Sequence, residues 1–213
     1  MSIAHHPGEE LLLSYATGAA NEAVALLVAS HLALCPTCRT IVTASEAAGG
    51  SLLADIPPVA MSQSAYQSIL SRLDEPAAAI VRSANLASTV PAPLQPYIGS
   101  DFTTVPWRPI VSGLSHYPLV TKDGVRARLI RVMPGAGVAP HTHRGEEWTL
   151  VLTGSFSDAT GTYRPGDVQT TTPEVEHCPT ADPGPVCINL AVTDAPLVFR
   201  GLLPKIVGKL FGF

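Results

Sequence analysis

Through the first 75 residues the apolar positions recur at helical spacing. Leu11 to Gly18 predicts a short first helix, with Glu9 and Glu10 in its first turn, where the helix dipole favours acids, and Gly18 at its end. Asn21 is placed to cap a second helix from Glu22 to about Leu34. Val24, Leu26, Leu27, Val28, Leu32 and Leu34 cover more than one stripe of that helix, so it needs partners on more than one side. A third helix is expected from about Pro36, a residue tolerated at the first helical position, to Ala48, closed by Gly49-Gly50. Beyond the breaker Pro57-Pro58, a detached fourth helix spans about Ser62 to Leu73.

No period of 2 or 3.6 stands out from Asp74 to Pro96, where Pro76, Pro91, Pro93 and Pro96 sit among alanine, serine and threonine. Residues 76–96 read as a flexible linker. From Tyr97 the texture changes to short alternating or β-branched runs separated by glycine and proline turns. Strands are expected at Val105–Trp107, Ser115–Val120, Ala127–Val132, Glu147–Thr153, Phe156–Asp158, Asp167–Thr172, His177–Thr180 and Val186–Val192. So many short strands in one region argue for an antiparallel barrel or jelly roll. The expected fold is α+β in two domains: a small helical unit over residues 1–75, the linker over 76–96, and a β barrel over 97–213.

Composition adds that a substantial core can be buried, because 46% of residues are hydrophobic and only 14% are charged. No apolar run reaches the roughly 20 residues that a membrane span requires. Met1 to Pro7 carry no basic region followed by an apolar one, so no signal peptide is expected and the protein reads as cytoplasmic. The net charge of -4 is unevenly placed. Up to Glu75 only Arg39 and Arg72 oppose Glu9, Glu10, Glu22, Glu46, Asp55, Asp74 and Glu75. That sign suits a basic protein surface better than a phosphate backbone, so neither direct nucleic-acid binding nor a membrane partner is expected.

Candidate chemistry falls in two places. His31, Cys35 and Cys38 lie within eight residues, across the junction of the second and third helices, at a spacing that suits tetrahedral zinc. A fourth ligand must come from upstream, where His5 and His6 are the candidates and His6, at the mouth of the first helix, is preferred. Three short helices make a small core, for which a metal staple is physically reasonable. In the β region, His141 and His143 are two apart on an extended segment and point to one face. Glu147 returns to the same side after a turn, and His177 is a fourth candidate at the start of a later strand. Cys178 beside His177 is either a redox-reactive thiol or a packing residue; Cys187 reads as core, and a disulfide between the two is not expected in a reducing compartment. His116 reads as a non-ligand, and the tail from Leu202 to Phe213 as a segment covering the barrel.

The run Gly135-x5-His141-x-His143-x3-Glu147-x6-Gly154 resembles the first cupin motif at every defining position. Gly166-Asp167, Pro173 and His177 resemble the second, without its usual glycine between proline and histidine. The whole chain resembles the ChrR family of zinc-dependent anti-sigma factors, from His5-His6 through Cys35-Pro-Thr-Cys38 and Gly49-Gly50-Ser51-Leu52 to Thr193-Asp-Ala-Pro-Leu and Leu203-Pro-Lys-Ile.

This resemblance implies that His6, His31, Cys35 and Cys38 bind a structural zinc, and that His141, His143, Glu147 and His177 bind a second zinc in a cupin domain. It also implies a helical domain that sequesters an extracytoplasmic-function sigma factor, and a cupin domain that responds to singlet oxygen or organic peroxides. In the mechanism expected from it, apolar faces of the first, second and fourth helices enclose part of the sigma factor. Two other readings were open to the residues alone: a cupin enzyme, such as a metal-dependent dioxygenase or isomerase, with a helical appendage, and a zinc module that binds DNA. The acidic balance opposes the second of these. Against the first, three histidines and a glutamate can fill a tetrahedral zinc and leave no open position.

Overall fold

The computed structural model describes residues 3–73, 75, 88–122 and 124–199. Four helices lead the chain: α1 (Glu9–Ala16), α2 (Glu22–Leu34), α3 (Pro36–Ala54) and α4 (Gln63–Arg72). Local chemistry sets their starts. The Asn21 side chain accepts the Val24 amide at 3.1 Å, Cys35 Sγ accepts the Cys38 amide at 3.5 Å with Pro36 opening α3, and Ser62 caps α4.

The third helix does not stop at Ala48. It continues through Gly49-Gly50 to Ala54, since neither glycine takes a positive φ and Ser51-Leu-Leu-Ala prolongs the turn. Two glycines inside a helix cost about 1 kcal/mol each relative to alanine. That is a tax on the helix, not a stop signal.

The all-round apolar character of α2 has a direct cause. Its neighbours are α1 and α3 on one side and strands of the β region on the other. Ala23, Val24, Leu26, Leu27, Val28 and Leu32 are all buried, in one cluster with Leu129, Trp148, Leu150, Leu190 and Val192 of the sheet. Fully burying a side chain such as Leu27 or Val28 contributes about 1.5–3 kcal/mol.

Among the described residues the β region holds eleven strands. Six form one antiparallel sheet in the order β1 (Arg108–Val111), β2 (Leu114–Lys122), β3 (Val125–Val132), β10 (Cys187–Thr193), β5 (Glu147–Thr153) and β8 (Val168–Thr171). The facing layer is made by β4 (His141–His143) paired with β11 (Leu197–Phe199), and by β6 (Phe156–Asp158) between β7 (Gly161–Tyr163) and β9 (Thr180–Ala181). Trp148, Leu150 and Leu152 of β5 join the helix-side cluster, whereas Glu147 and Thr149 line the barrel interior. β5 and β10 are therefore buried on both faces along nearly their whole length.

Two expected strands differ. Val105–Trp107 is not a strand: it follows a 3-10 turn, Phe102–Thr104, that sends Phe102 and Val105 into the helix-side core. His177 meets β4 only through an isolated bridge to His141, and the regular strand begins at Thr180. The expected linker also divides. Residues 76–87 lie outside the described residues, as does the tail from Arg200. Beyond Ser88 the chain packs firmly, with Val90 and Leu94 buried beneath α2 and the Tyr97 hydroxyl donating to Glu22 at 2.9 Å.

Candidate metal centres

The junction of α2 and α3 places three donors of the first set. His31 lies in the last turn of α2, Cys35 ends that helix and caps the next, and Cys38 sits in the first turn of α3. His6 arrives from the segment before α1, its Nδ1 3.3 Å from Cys38 Sγ and 3.5 Å from Cys35 Sγ. Donor atoms of all four residues lie within 4.8 Å of one another. A tetrahedral zinc with these ligands has N to S edges of about 3.6 Å, which the His6 distances approach.

The electrostatics point the same way. His31 Nδ1 donates to the Gly166 carbonyl at 2.9 Å, which leaves Nε2 as a buried lone pair with no hydrogen-bond partner. Burial lowers the His31 pKa, with the Gly166 bond opposing, so the imidazole stays neutral. Burial, then the adjacent Cys35, pushes the Cys38 thiol up to about 12. A thiol raised in this way becomes a thiolate at neutral pH only beside a cation. The cluster fits a zinc site.

In the barrel, His141 and His143 share β4, Glu147 opens β5 and His177 lies opposite His141. His141 Nδ1 donates to the Ala139 carbonyl at 2.9 Å, and His177 Nδ1 donates to the Asp158 carboxylate at 2.9 Å. Both bonds fix the tautomer, so each Nε2 presents a lone pair. Those two Nε2 atoms stand 3.1 Å apart, His143 Nε2 is 3.1 Å from His177 Nε2, and Glu147 Oε2 lies 3.7 Å from His143. Facing lone pairs repel unless a cation sits between them, and the four donors again lie within 4.8 Å of one another. Burial, with neighbouring histidines adding to it, lowers His141 to about 4 and His143 to about 3. Burial also lifts Glu147 to about 7, opposed by Arg128. The four converging donors form a possible metal site.

A cavity of about 510 Å³ opens above this second set. Its floor is His141, Glu147 and His177, with Thr149, Gln169 and Asn189 beside them, and its walls include Ile130, Val138, Phe156 and Phe199. Cys178 lies on the wall, exposed, and its thiol donates to the Val138 carbonyl at 3.2 Å. Cys187 is fully buried, its thiol pushed up to about 12 chiefly by burial.

All eight residues expected as ligands therefore fall into the two clusters. His5 stands apart, its ring tilted 46° against Tyr163 with centroids 4.6 Å apart, and His116 is buried in the sheet away from either set. Sequence reasoning missed the groups that aim the ligands: Asp158, which fixes His177, and the Gly166 carbonyl, which fixes His31. Asp158 carried no signal beyond its place at a strand end. Gly166 stood in the second cupin motif, but nothing there links it to a helix 135 positions upstream.

A helical unit with a two-cysteine, two-histidine cluster, joined to a barrel in which three histidines and a glutamate converge, defines a cupin-type protein with two candidate metal sites. The family described as the ChrR cupin-like domain matches residues 96–195. The anti-sigma-E factor ChrR of Cereibacter sphaeroides is 41% identical over 211 residues, which cover 99% of each chain. A crystal structure of Rhodobacter sphaeroides SigE in complex with the anti-sigma ChrR superposes with a TM-score of 0.80 at 40% identity, covering 90% of this chain and 99% of that one. The chain belongs to the ChrR family of anti-sigma factors.

Proposed function

We propose that the protein is a cytoplasmic anti-sigma factor whose helical unit sequesters an extracytoplasmic-function sigma factor. The observation that carries this reading is an apolar surface left uncovered among the described residues. Leu52, Leu53, Ile56 and Val59, at and beyond the end of α3, are exposed, and so are Tyr66, Ile69, Leu70 and Leu73, which form one stripe along α4. α4 has no buried residue. Surface of this extent on a monomer marks a protein-binding site. The acidic balance of the helical unit complements a basic partner. The crystal structure similar to this chain is itself a complex of a sigma factor with its anti-sigma factor.

The contact surface proposed here differs from the expectation drawn from sequence, which named the first, second and fourth helices. α2 packs on the barrel and α1 packs beside it, so both act as scaffold, and the sigma-binding face is formed by α3 and α4. No described helix is long and apolar enough to cross a membrane. The proposed units are residues 1–75 and 97–213, joined by 76–96.

In this reading His6, His31, Cys35 and Cys38 hold a structural zinc that fixes α1, α2 and α3, and His141, His143, Glu147 and His177 hold a second zinc. The barrel responds to oxidative stress, singlet oxygen or organic peroxide, and its altered state releases the sigma factor. The cavity beside the second set gives an apolar oxidant access to it. The relative matched end to end is an anti-sigma factor, a regulator and not an enzyme, so the cavity is read as a sensing chamber. Co-purification with candidate extracytoplasmic-function sigma factors, with metal analysis of the same sample, tests the proposal. A one-to-one complex with two zinc ions per anti-sigma chain is expected, and a metal-free chain that captures no sigma factor overturns it.

A further inference from the structure

The histidines of the first ligand set are not held by the helices alone. His31 Nδ1 donates to the Gly166 carbonyl. The segment leading into His6 is bound to the next residue: Asp167 Oδ1 accepts the Ala4 amide at 2.7 Å and the His5 amide at 3.0 Å, while Val168 donates its amide to the His5 carbonyl at 3.1 Å. Asp167 is only 3% exposed, and its other oxygen accepts the Arg164 amide at 2.9 Å, closing the turn. Gly166 has a φ of +95°, and a Cβ there would meet Ile3 at 2.5 Å, so the incoming segment lies directly on the turn. Of the three donors at the α2–α3 junction, His31 is thus also held from the barrel, and His6 comes from outside the junction altogether.

This turn also leads into the second set. It is tied to β5 by the Val151 amide donating to the Asp167 carbonyl at 3.0 Å. Strand β8 then runs from Val168 to Thr171, where Thr171 pairs with Glu147 and its hydroxyl lies 3.3 Å from His143 Nε2. Four residues of strand span roughly 13 Å, so the turn and the second set stand at the two ends of one short strand paired to β5.

We propose that the Gly166–Asp167 turn is a clamp that completes the first ligand set from the barrel, and that β8 links its position to the second set. Asp167 is thus a positioning residue: it touches neither proposed metal, and it sets where His6 stands. The link rests on the reading that both sets hold zinc, whereas the clamp does not. Linkage requires the effect to be reciprocal, so that loading the barrel tightens the first set and loading the first set tightens the barrel.

Two measurements on the full chain test this. In metal-free protein, amide hydrogen exchange at Ala4 and His5 should be at least tenfold faster in Asp167→Asn than in the wild type, with the core amides of α2 and β5 unchanged; equal exchange overturns the clamp whether or not zinc binds. In zinc-loaded protein, release from the first set into 4-(2-pyridylazo)resorcinol should be at least tenfold faster in Asp167→Asn. His141→Ala, which empties the barrel, should accelerate that release in the wild-type background and leave it unaltered in Asp167→Asn. Equal acceleration in both backgrounds, or none in either, overturns the link. The wild type offers a check that needs no variant, since zinc loading of the barrel should slow exchange at Ala4, His5 and Val168; unchanged rates there also count against the link.

Discussion

His177 donates its Nδ1–H to Asp158 at 2.9 Å, and this bond turns the other ring nitrogen toward the nitrogens of His141 and His143. Gln169 and Thr160 donate to the same carboxylate, which holds it in place. Outer partners of this kind are worth 10- to 100-fold in metal affinity. Asp158→Asn should therefore weaken zinc binding at the barrel by roughly that factor, read by competition with a chelator of known affinity. Unchanged affinity would show that His177 is aimed by packing alone.

The metal-free barrel should be stabilised by low pH through Glu147 and destabilised by it through the histidines. Burial raises Glu147 from 4.5 to about 7, so its contribution to stability is full below 4.5 and is lost as pH rises through 7. His141 and His143, lowered to about 4 and 3, contribute stability that is full above 6.5 and is lost as pH falls through those values. Metal-free Glu147→Gln should match the wild type near pH 4 and exceed it by roughly 3 kcal/mol at pH 8, measured by denaturant unfolding. A gap independent of pH would mean that Glu147 is not a buried acid.

Leu27 is fully buried between the helices and the sheet. Leu27→Ala should cost about 2–5 kcal/mol in the unfolding of the whole chain. A helical unit that merely rested on the barrel would show a loss confined to its own transition, with the barrel unfolding as before.

Ile69 on α4 and Leu73 at its C-cap are 54% and 70% exposed. Ile69→Glu with Leu73→Glu should alter stability by no more than about 0.5 kcal/mol per site. The same pair should weaken sigma-factor binding by at least 30-fold, the scale of about 2 kcal/mol that marks interface hot spots. A pull-down that retains the sigma factor at wild-type yield would move the binding face elsewhere.

The parts that local chemistry decides were legible in the sequence. Asn21 and Pro36 marked helix starts that the structure reproduces, and alternation along Glu147–Thr153 and Phe156–Asp158 gave those strands to the residue. The two donor clusters could be read because a metal site needs few residue types at fixed spacings. What stayed hidden depends on segments far apart in the chain. The apolar surround of α2 showed that it had more than one neighbour, but not that one was the outer face of a sheet. Asp158 and Gly166 act through single bonds to partners 19 and 135 positions away, which leave no periodic trace. The extension of α3 was missed because a glycine pair was read as a stop, although the backbone there needs no left-handed residue.

In the proposed function, a zinc held by His6, His31, Cys35 and Cys38 shapes the sigma-binding face. Calorimetric titration of the cognate sigma factor into the full zinc-loaded chain, beside Cys38→Ser, tests it most directly. The wild type should form a one-to-one complex, whereas Cys38→Ser should lose one zinc per chain, keep the barrel's zinc and bind at least 100-fold more weakly. A Cys38→Ser chain that lacks the first zinc and still binds with wild-type affinity would contradict the account.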